Sequence, residues 1–423
     1  MLYDQEPKTE AVHGSEETKE ESYSFMKETI KSSRKKNIMQ FARMIFGGLL
    51  FGVFACCGFF ALKPWAERTF YQETTTVSIP EDEEVDTKEA EEQVIEAEAP
   101  ILSAESYEEI MQSMYDIAEE AERSLVNIQS VQEESLEEET EEAFRTTGTI
   151  VADNGMEYLI LADDSICEEA EEWNAVFIDN RQYKVFLKKR EKTRGIAIFA
   201  IEKSAMKAES RKAIKISELG NSNAVMRGDV VIALGDMFGY EGAVGYGIVS
   251  SVEHEVTFAD GSCGIIATDV EIAADGSGVL VNQSGQIIGL IKNDIWAEEQ
   301  SRTANAFAIS DLKSALQLML NGKSVPYIGI YATTVTEEIS EEQGIPLGLY
   351  VTRVEENSPA MQAGIQVGDI IQRVAGFEVT NLNTYKRTLL QREIGGETKI
   401  EAERRGSGEY VDVNFKVVIG SKE

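Results

Sequence analysis

From residue 124 onward, apolar and polar positions alternate over short stretches, and glycines separate the stretches. Ser124 to Val131, Thr147 to Asp153, Glu157 to Leu161, Glu172 to Ile178, Gln182 to Leu187, Gly195 to Ile201, Asp229 to Leu234, Val244 to Val252 and Gly264 to Thr268 each read as a strand. Val270 to Ile272 and Val279 to Val281 flank a tight Gly276-Ser277-Gly278 turn, and Asn282 to Gly285 gives a hairpin signal before the strand Gln286 to Leu290. Many short strands with glycine turns and almost no long helix predict a mainly β fold, a barrel or sandwich. Two stretches carry the helical period instead. Ile110, Met114 and Ile117 recur three or four apart within Ile101 to Glu122, and Asn305 to Leu320 closes the β unit with a helix for which Ser310-Asp311 is the expected N-terminal cap. A second globular unit begins near Val325 and runs to Ile419; in it Leu382, Tyr385 and Leu389 have the spacing of a helix face packed on a core, with Lys386 exposed beside them.

The amino-terminal part has a different pattern. Met1 to Gln40 is polar and charged, and Met44 to Leu62 is an almost unbroken apolar run of 19 residues. That length matches the ~20 residues a helix needs to cross a bilayer, so a single transmembrane helix is expected. Lys31 to Arg43 is more basic than Lys63 to Arg68, which orients the amino end toward the cytoplasm and everything after the span away from it. Pro64 to Pro100 is rich in glutamate and reads as an extended, self-repelling stalk. The expected layout is a cytoplasmic tail over 1–40, a transmembrane helix over 41–63, an acidic stalk over 64–105, a β domain over 106–322 and a second module over 323–423. The acidic run Glu133 to Glu142 reads as a solvated insertion in the β domain.

Charge and composition narrow the chemistry. A formal net charge of -35 argues against nucleic acid, whose phosphates attract Lys and Arg. Four cysteines are too few for a disulfide scaffold, and whether Cys167 and Cys263 pair cannot be read from spacing. The stalk carboxylates lack the alternating Asp/Asn pattern and the glycine of a calcium loop, and no metal or cofactor is expected. Only two histidines exist, His13 and His254.

The run Thr268 to Leu290, with Leu219 to Asn223, Val225 to Gly235, Val244 to Ser250 and Ala306 to Ile309, resembles the HtrA/Deg family of trypsin-like serine proteases. The resemblance implies a double β-barrel and a Ser-His-Asp triad. Aligned forward from Thr268-Asp269, Ser277 takes the nucleophile position; aligned backward from Leu280-Val281-Asn282, Gly276 does, because the turn is one residue short. The forward register keeps Ser277 and is preferred. The histidine position then falls to Ser165, or Asp164, and the aspartate position to Gly195, or Arg194. Triad members act as one unit, so loss of the base and its carboxylate removes several orders of magnitude in rate.

Val325 to Ile330, Gly348 to Val354, Asn357 to Ala360, Ala363 to Ile371 and Ala375 to Val379 resemble an HtrA-type PDZ domain. The family's carboxylate-binding segment maps onto Tyr327, Ile328, Gly329 and Ile330. Glycine lets successive N–H groups converge on a terminal carboxylate, and the next strand edge can take an extended peptide. The resemblance implies C-terminal protein tails as partners, and family members commonly trimerise through the protease domain. The expectation is a membrane-anchored pseudoprotease acting as a scaffold or regulator in envelope quality control. Its rival is an active serine endopeptidase using Ser277.

Overall fold

The computed structural model describes residues 43–50, 53, 54, 56, 74–82, 104–131, 144–240, 242–274, 276–292 and 302–423. Contacts divide the chain into two units, Met1–Gln72 and Glu73–Glu423. In the first, residues 43–50 are helical. Among the described residues no helix is long and apolar enough to cross a membrane; of the expected span 41–63, residues 41, 42, 51, 52, 55 and 57–63 lie outside them. The expected tail 1–40, the stalk residues 64–73 and 83–103 and the acidic insertion 133–142 lie outside them too.

The described part of the second unit opens on Thr74 to Asp82, part of the expected stalk, which has no regular secondary structure and is docked on the β domain. The closing helix and the residue that caps its end read the segment's backbone: Asn321 Oδ1 accepts from Val77 N–H at 2.9 Å and Gln317 Oε1 from Ile79 N–H at 3.1 Å. Val77 and Ile79 pack against the main core, and the Asp82 carboxylate meets Lys313 Nζ at 2.7 Å. The acid in this stretch is therefore an anchor as well as a solvated surface.

Helix Ala104–Glu122 follows, as its spacing predicts, with Met114 and Ile117 against the core and Ile110 exposed. The strands then form two closed six-stranded barrels. The first holds β1 (Leu125–Ser130), β2 (Arg145–Asp153), β3 (Glu157–Asp163), β4 (Trp173–Phe177), β5 (Gln182–Glu191) and β6 (Ile196–Glu202), in the order β1-β2-β3-β6-β5-β4. The second holds β7 (Val230–Asp236), β8 (Ala243–Phe258), β9 (Gly261–Glu271), β10 (Ser277–Val281), β11 (Ile287–Ile291) and β12 (Thr303–Ala308), in the order β10-β11-β12-β9-β8-β7. Strands such as Tyr158 to Ala162 are apolar without interruption because one face fills a barrel and the other faces a neighbouring layer.

The helix Ile309–Leu320 seals the junction. Leu312, Leu316, Met319 and Leu320 are all but inaccessible, each worth ~1.5–3 kcal/mol of apolar transfer. Its start differs from expectation. Ala308 is the N-cap and no side chain caps the helix, because Ser310 Oγ donates to Asp82 and Asp311 Oδ2 accepts from Gly264 N–H at 2.8 Å.

The carboxy-terminal module contains β13 (Ile330–Val335), β14 (Gly348–Val354), β15 (Ile370–Val374), β16 (Phe377–Glu378), β17 (Glu397–Arg405) and β18 (Tyr410–Val418) in one sheet ordered β13-β14-β15-β17-β18, with β16 on β15. Helix Leu382–Leu390 packs Tyr385 and Leu389 into its core, as their spacing predicts. Lys386 is not the exposed residue expected: it is partly buried, and its Nζ donates to Asp311 O of the β domain at 2.6 Å.

Candidate functional site

Ser277 opens β10, opposite Asp236 of β7. Its Oγ accepts from Thr147 N–H at 2.8 Å, so the hydroxyl ties the second barrel to β2 of the first. Thr147 Oγ1 in turn accepts from Asp236 N–H at 2.9 Å, and the Asp236 carboxylate takes Arg145 Nε at 2.8 Å. A cavity of about 320 Å³ lies beside this junction, lined by Asn127, Thr147, Phe177, Gly235 and Asp236 among others. Gly276, the alternative nucleophile position, leaves no room for a side chain: a Cβ there would stand 2.5 Å from Ile272 Cγ1 and 2.9 Å from Met237 O.

The other two triad positions are brought to one end of the first barrel, where β3 meets β6. Ser165 is exposed, and its N–H donates to Asp163 Oδ1 at 2.8 Å. Gly195 has φ +65°, and a Cβ there would fall on Lys292 Nζ. Lys292, which follows β11, is buried; its ammonium pairs with Asp163 Oδ2 at 2.6 Å and donates to Gly195 O at 3.1 Å. Asp164 completes the cluster by accepting from Arg190 Nε at 2.8 Å, while burial pushes its carboxyl above the ordinary value. The two charge pairs thus fill the ground where a base and its carboxylate are expected.

Lys292, two residues beyond the run Thr268 to Leu290, escaped the sequence reading because its approach to Asp163 and Gly195 depends on the fold. The available signal was the β10–β11 ladder: Gly278 stands opposite Ile291, so the next step of that register brings Ser277 and Lys292 to the same end. His254 is exposed on β8, opposite Ile265. Cys167 and Cys263 are both free thiols; burial pushes Cys167 up to about 12 and raises Cys263 as well. Among the described residues no group of three or more His, Cys, Asp or Glu is placed to hold a metal.

At the second expected site, Tyr327, Ile328, Gly329 and Ile330, the backbone donors of 328–330 are engaged. Gly329 has φ +89°, which turns successive amides to one point. At that point sits the carboxylate of Asp260, from the tip of the β8–β9 hairpin. Its Oδ2 accepts from Ile328 N–H at 2.6 Å and Gly329 N–H at 2.7 Å, and its Oδ1 from Ile330 N–H at 3.2 Å and Tyr385 OH at 2.6 Å. Burial pushes the Asp260 carboxyl above its ordinary value, against the pull of Tyr385 and the amides. Ile328 and Ile330 are fully buried in the module's core, so the pair shares one fate. Tyr327 points elsewhere, donating its hydroxyl to Glu355 Oε2 at 2.6 Å.

Known proteins share both parts. Residues 146–290 match the trypsin-like peptidase domain model and residues 326–415 the PDZ domain model. The chain is similar to a probable periplasmic serine endoprotease DegP-like of Pseudomonas savastanoi, 27% identical over 274 residues, covering 63% of this chain and 54% of the relative. It is also similar to the serine protease Do-like HtrB of Bacillus subtilis, 30% identical over 213 residues, covering 45% and 46% respectively. The chain thus spans about half the length of the curated relatives it matches. Among solved structures, the HtrA-type protease AlgW with tripeptide superposes with a TM-score of 0.52 at 19% identity, covering 73% of this chain and 97% of that one. A serine endoprotease from Yersinia pestis gives 0.50 at 21% identity, covering 73% and 98%. These structures share the fold.

Proposed function

We propose that this chain, an HtrA-type trypsin-like peptidase domain followed by a PDZ domain, is a membrane-anchored pseudoprotease that binds carboxy-terminal tails. Its working parts face the extracytoplasmic space, where it acts as a scaffold or regulator in envelope quality control. The observation that carries the loss of catalysis is Lys292 with Asp163 over Gly195. An ammonium offers three donors and no acceptor, so in that pairing it holds its protons rather than taking one from a serine. Ser277 and Gly276 add support. In one register the hydroxyl is engaged by Thr147 N–H across the barrels, and in the other the nucleophile's space is closed by Ile272 and Met237.

Tail binding draws on the convergent amides of 328–330 and on β13, an edge strand beside helix Leu382–Leu390. The AlgW structure is of that protease with a tripeptide, which fits the same use of the fold. The apolar run 44–62 supports anchoring, and the periplasmic description of the relatives supports the compartment. A trimer formed through the β domain is part of this reading, by analogy with the family.

One observation favours the rival, an active endopeptidase: the same ladder that carries Ser277 carries Lys292 at its end. A fluorophosphonate probe separates the two readings. The pseudoprotease gives neither labelling nor casein cleavage, whereas labelling that disappears in Ser277→Ala establishes the enzyme.

A further inference from the structure

A peptide-tail site needs an anion hole made of main-chain amides and a free strand edge next to it, and in this molecule both already hold a ligand from the same chain. The Asp260 carboxylate receives the three amides of Ile328, Gly329 and Ile330. Asp260 N–H donates to Ile330 O at 2.7 Å, one rung of the ladder that an incoming strand would make with β13. Tyr385, from the helix that walls the groove, adds a fourth donor.

The hairpin is shaped for this. Asp260 adopts φ +64° at the hairpin tip, a left-handed conformation that aspartate takes more readily than most non-glycine residues. Arg194 lies over the neighbouring Phe258 ring at 4.9 Å, and Lys386 reaches across to Asp311 O. A side-chain carboxylate seated with a main-chain N–H on the strand beside it reproduces the two recognition elements of a terminal carboxylate.

We propose that Asp260 is an internal ligand of the PDZ domain: it occupies the carboxylate loop in the resting chain, and a protein tail binds only by exchange with it, releasing the hairpin tip. The inference rests on reading residues 326–415 as a tail-binding module. Exchange makes apparent affinity the intrinsic affinity multiplied by the fraction of loops left open, so the full chain binds tails weakly until a strong carboxylate competitor arrives.

The test uses the full chain as wild type, Asp260→Ala and Asp260→Asn, with folding checked by circular dichroism. The probe is an equimolar pool of fluorescein-labelled decapeptides ending in Val, Leu, Ile, Phe or Ala, with the amidated pool as control. Asp260→Ala is expected to bind the free-carboxylate pool at least about tenfold more tightly than wild type, with Asp260→Asn between them and no binding of the amidated pool. Hydrogen exchange provides a readout that needs no peptide: the amides of 328–330 are expected to exchange at least about a hundredfold faster in Asp260→Ala. Equal affinities, or equal exchange rates, would overturn the proposal. Faster exchange with no pool binding to any variant would instead sink the tail-binding reading and leave Asp260 as the loop's occupant.

Discussion

The ammonium of Lys292 lies over Gly195, its Nζ 3.1 Å from the Gly195 carbonyl oxygen and in the space a side chain at that position would use. The carboxylate it pairs with, Asp163, comes from the end of β3, so three separate segments meet at one charge pair. The pair fastens one barrel to the other, since Asp163 ends β3 of the first and Lys292 follows β11 of the second.

Breaking that pair should be costly to the fold. Lys292→Met leaves Asp163 with its partner gone in a largely buried setting, and a loss of about 3 kcal/mol is expected. Chemical denaturation followed by tryptophan fluorescence, with Trp173 buried in the first barrel, measures it. An unchanged midpoint would mean that the pair is replaceable by apolar packing.

Asp82 should control whether the segment ahead of the β domain stays docked. Its carboxylate is the partner of Lys313, which is buried in the closing helix, and it also receives Ser310 Oγ at 2.6 Å. Asp82→Ala is expected to raise cleavage after Glu81 by a Glu-specific protease at least about tenfold, read by mass spectrometry. Wild-type resistance in the variant would show that Val77 and Ile79 hold the segment without it.

Cys167 should be nearly inert in the folded chain. Burial pushes its thiol up to about 12, so little thiolate exists near neutrality. Alkylation by iodoacetamide at pH 8 is expected to be at least about a hundredfold slower than in the denatured chain. The sign for stability follows: an acid whose folded value is raised keeps its contribution below the unfolded value of about 9 and loses it as pH climbs toward about 12. Native stability should therefore fall across that alkaline window, and replacing Cys167 by alanine should flatten the fall.

Gly329 should tolerate no side chain. Its φ of +89° disfavours any other residue, and a Cβ there would meet Ser358 Cβ and stand 2.6 Å from the Tyr327 hydroxyl. Gly329→Leu is expected to abolish peptide binding and to weaken the module by about 1–3 kcal/mol. Retained binding to free-carboxylate peptides in a folded Gly329→Leu variant would place the anion site elsewhere.

Much of this protein was legible along the chain. Alternation in stretches such as Gln182 to Leu187 and the glycine turns between strands give β structure because a half-buried strand has a side-chain period of two. Tyr385 and Leu389 were placed on a helix's core face by their spacing alone. Gly329 was visible as a turn-forming position because a positive φ in that setting leaves its mark as a residue type. Where sequence reasoning fell short, the missing information was a long-range partner. Ser310 and Asp311 have the composition of a helix cap, but Asp82 and Gly264 take their oxygens. Lys386 has the look of a solvated lysine until Asp311 supplies a carbonyl.

The sequence by itself determined most of the elements and the order of a trypsin-like domain ahead of a PDZ domain, since these depend on local period and residue identity. Tertiary structure alone decided that Lys292 joins Asp163 and that Asp260 meets Gly329 across 69 positions of chain. Barrel closure and the docking of one module on another select those partners, and neither leaves a periodic trace in the residues that come to touch.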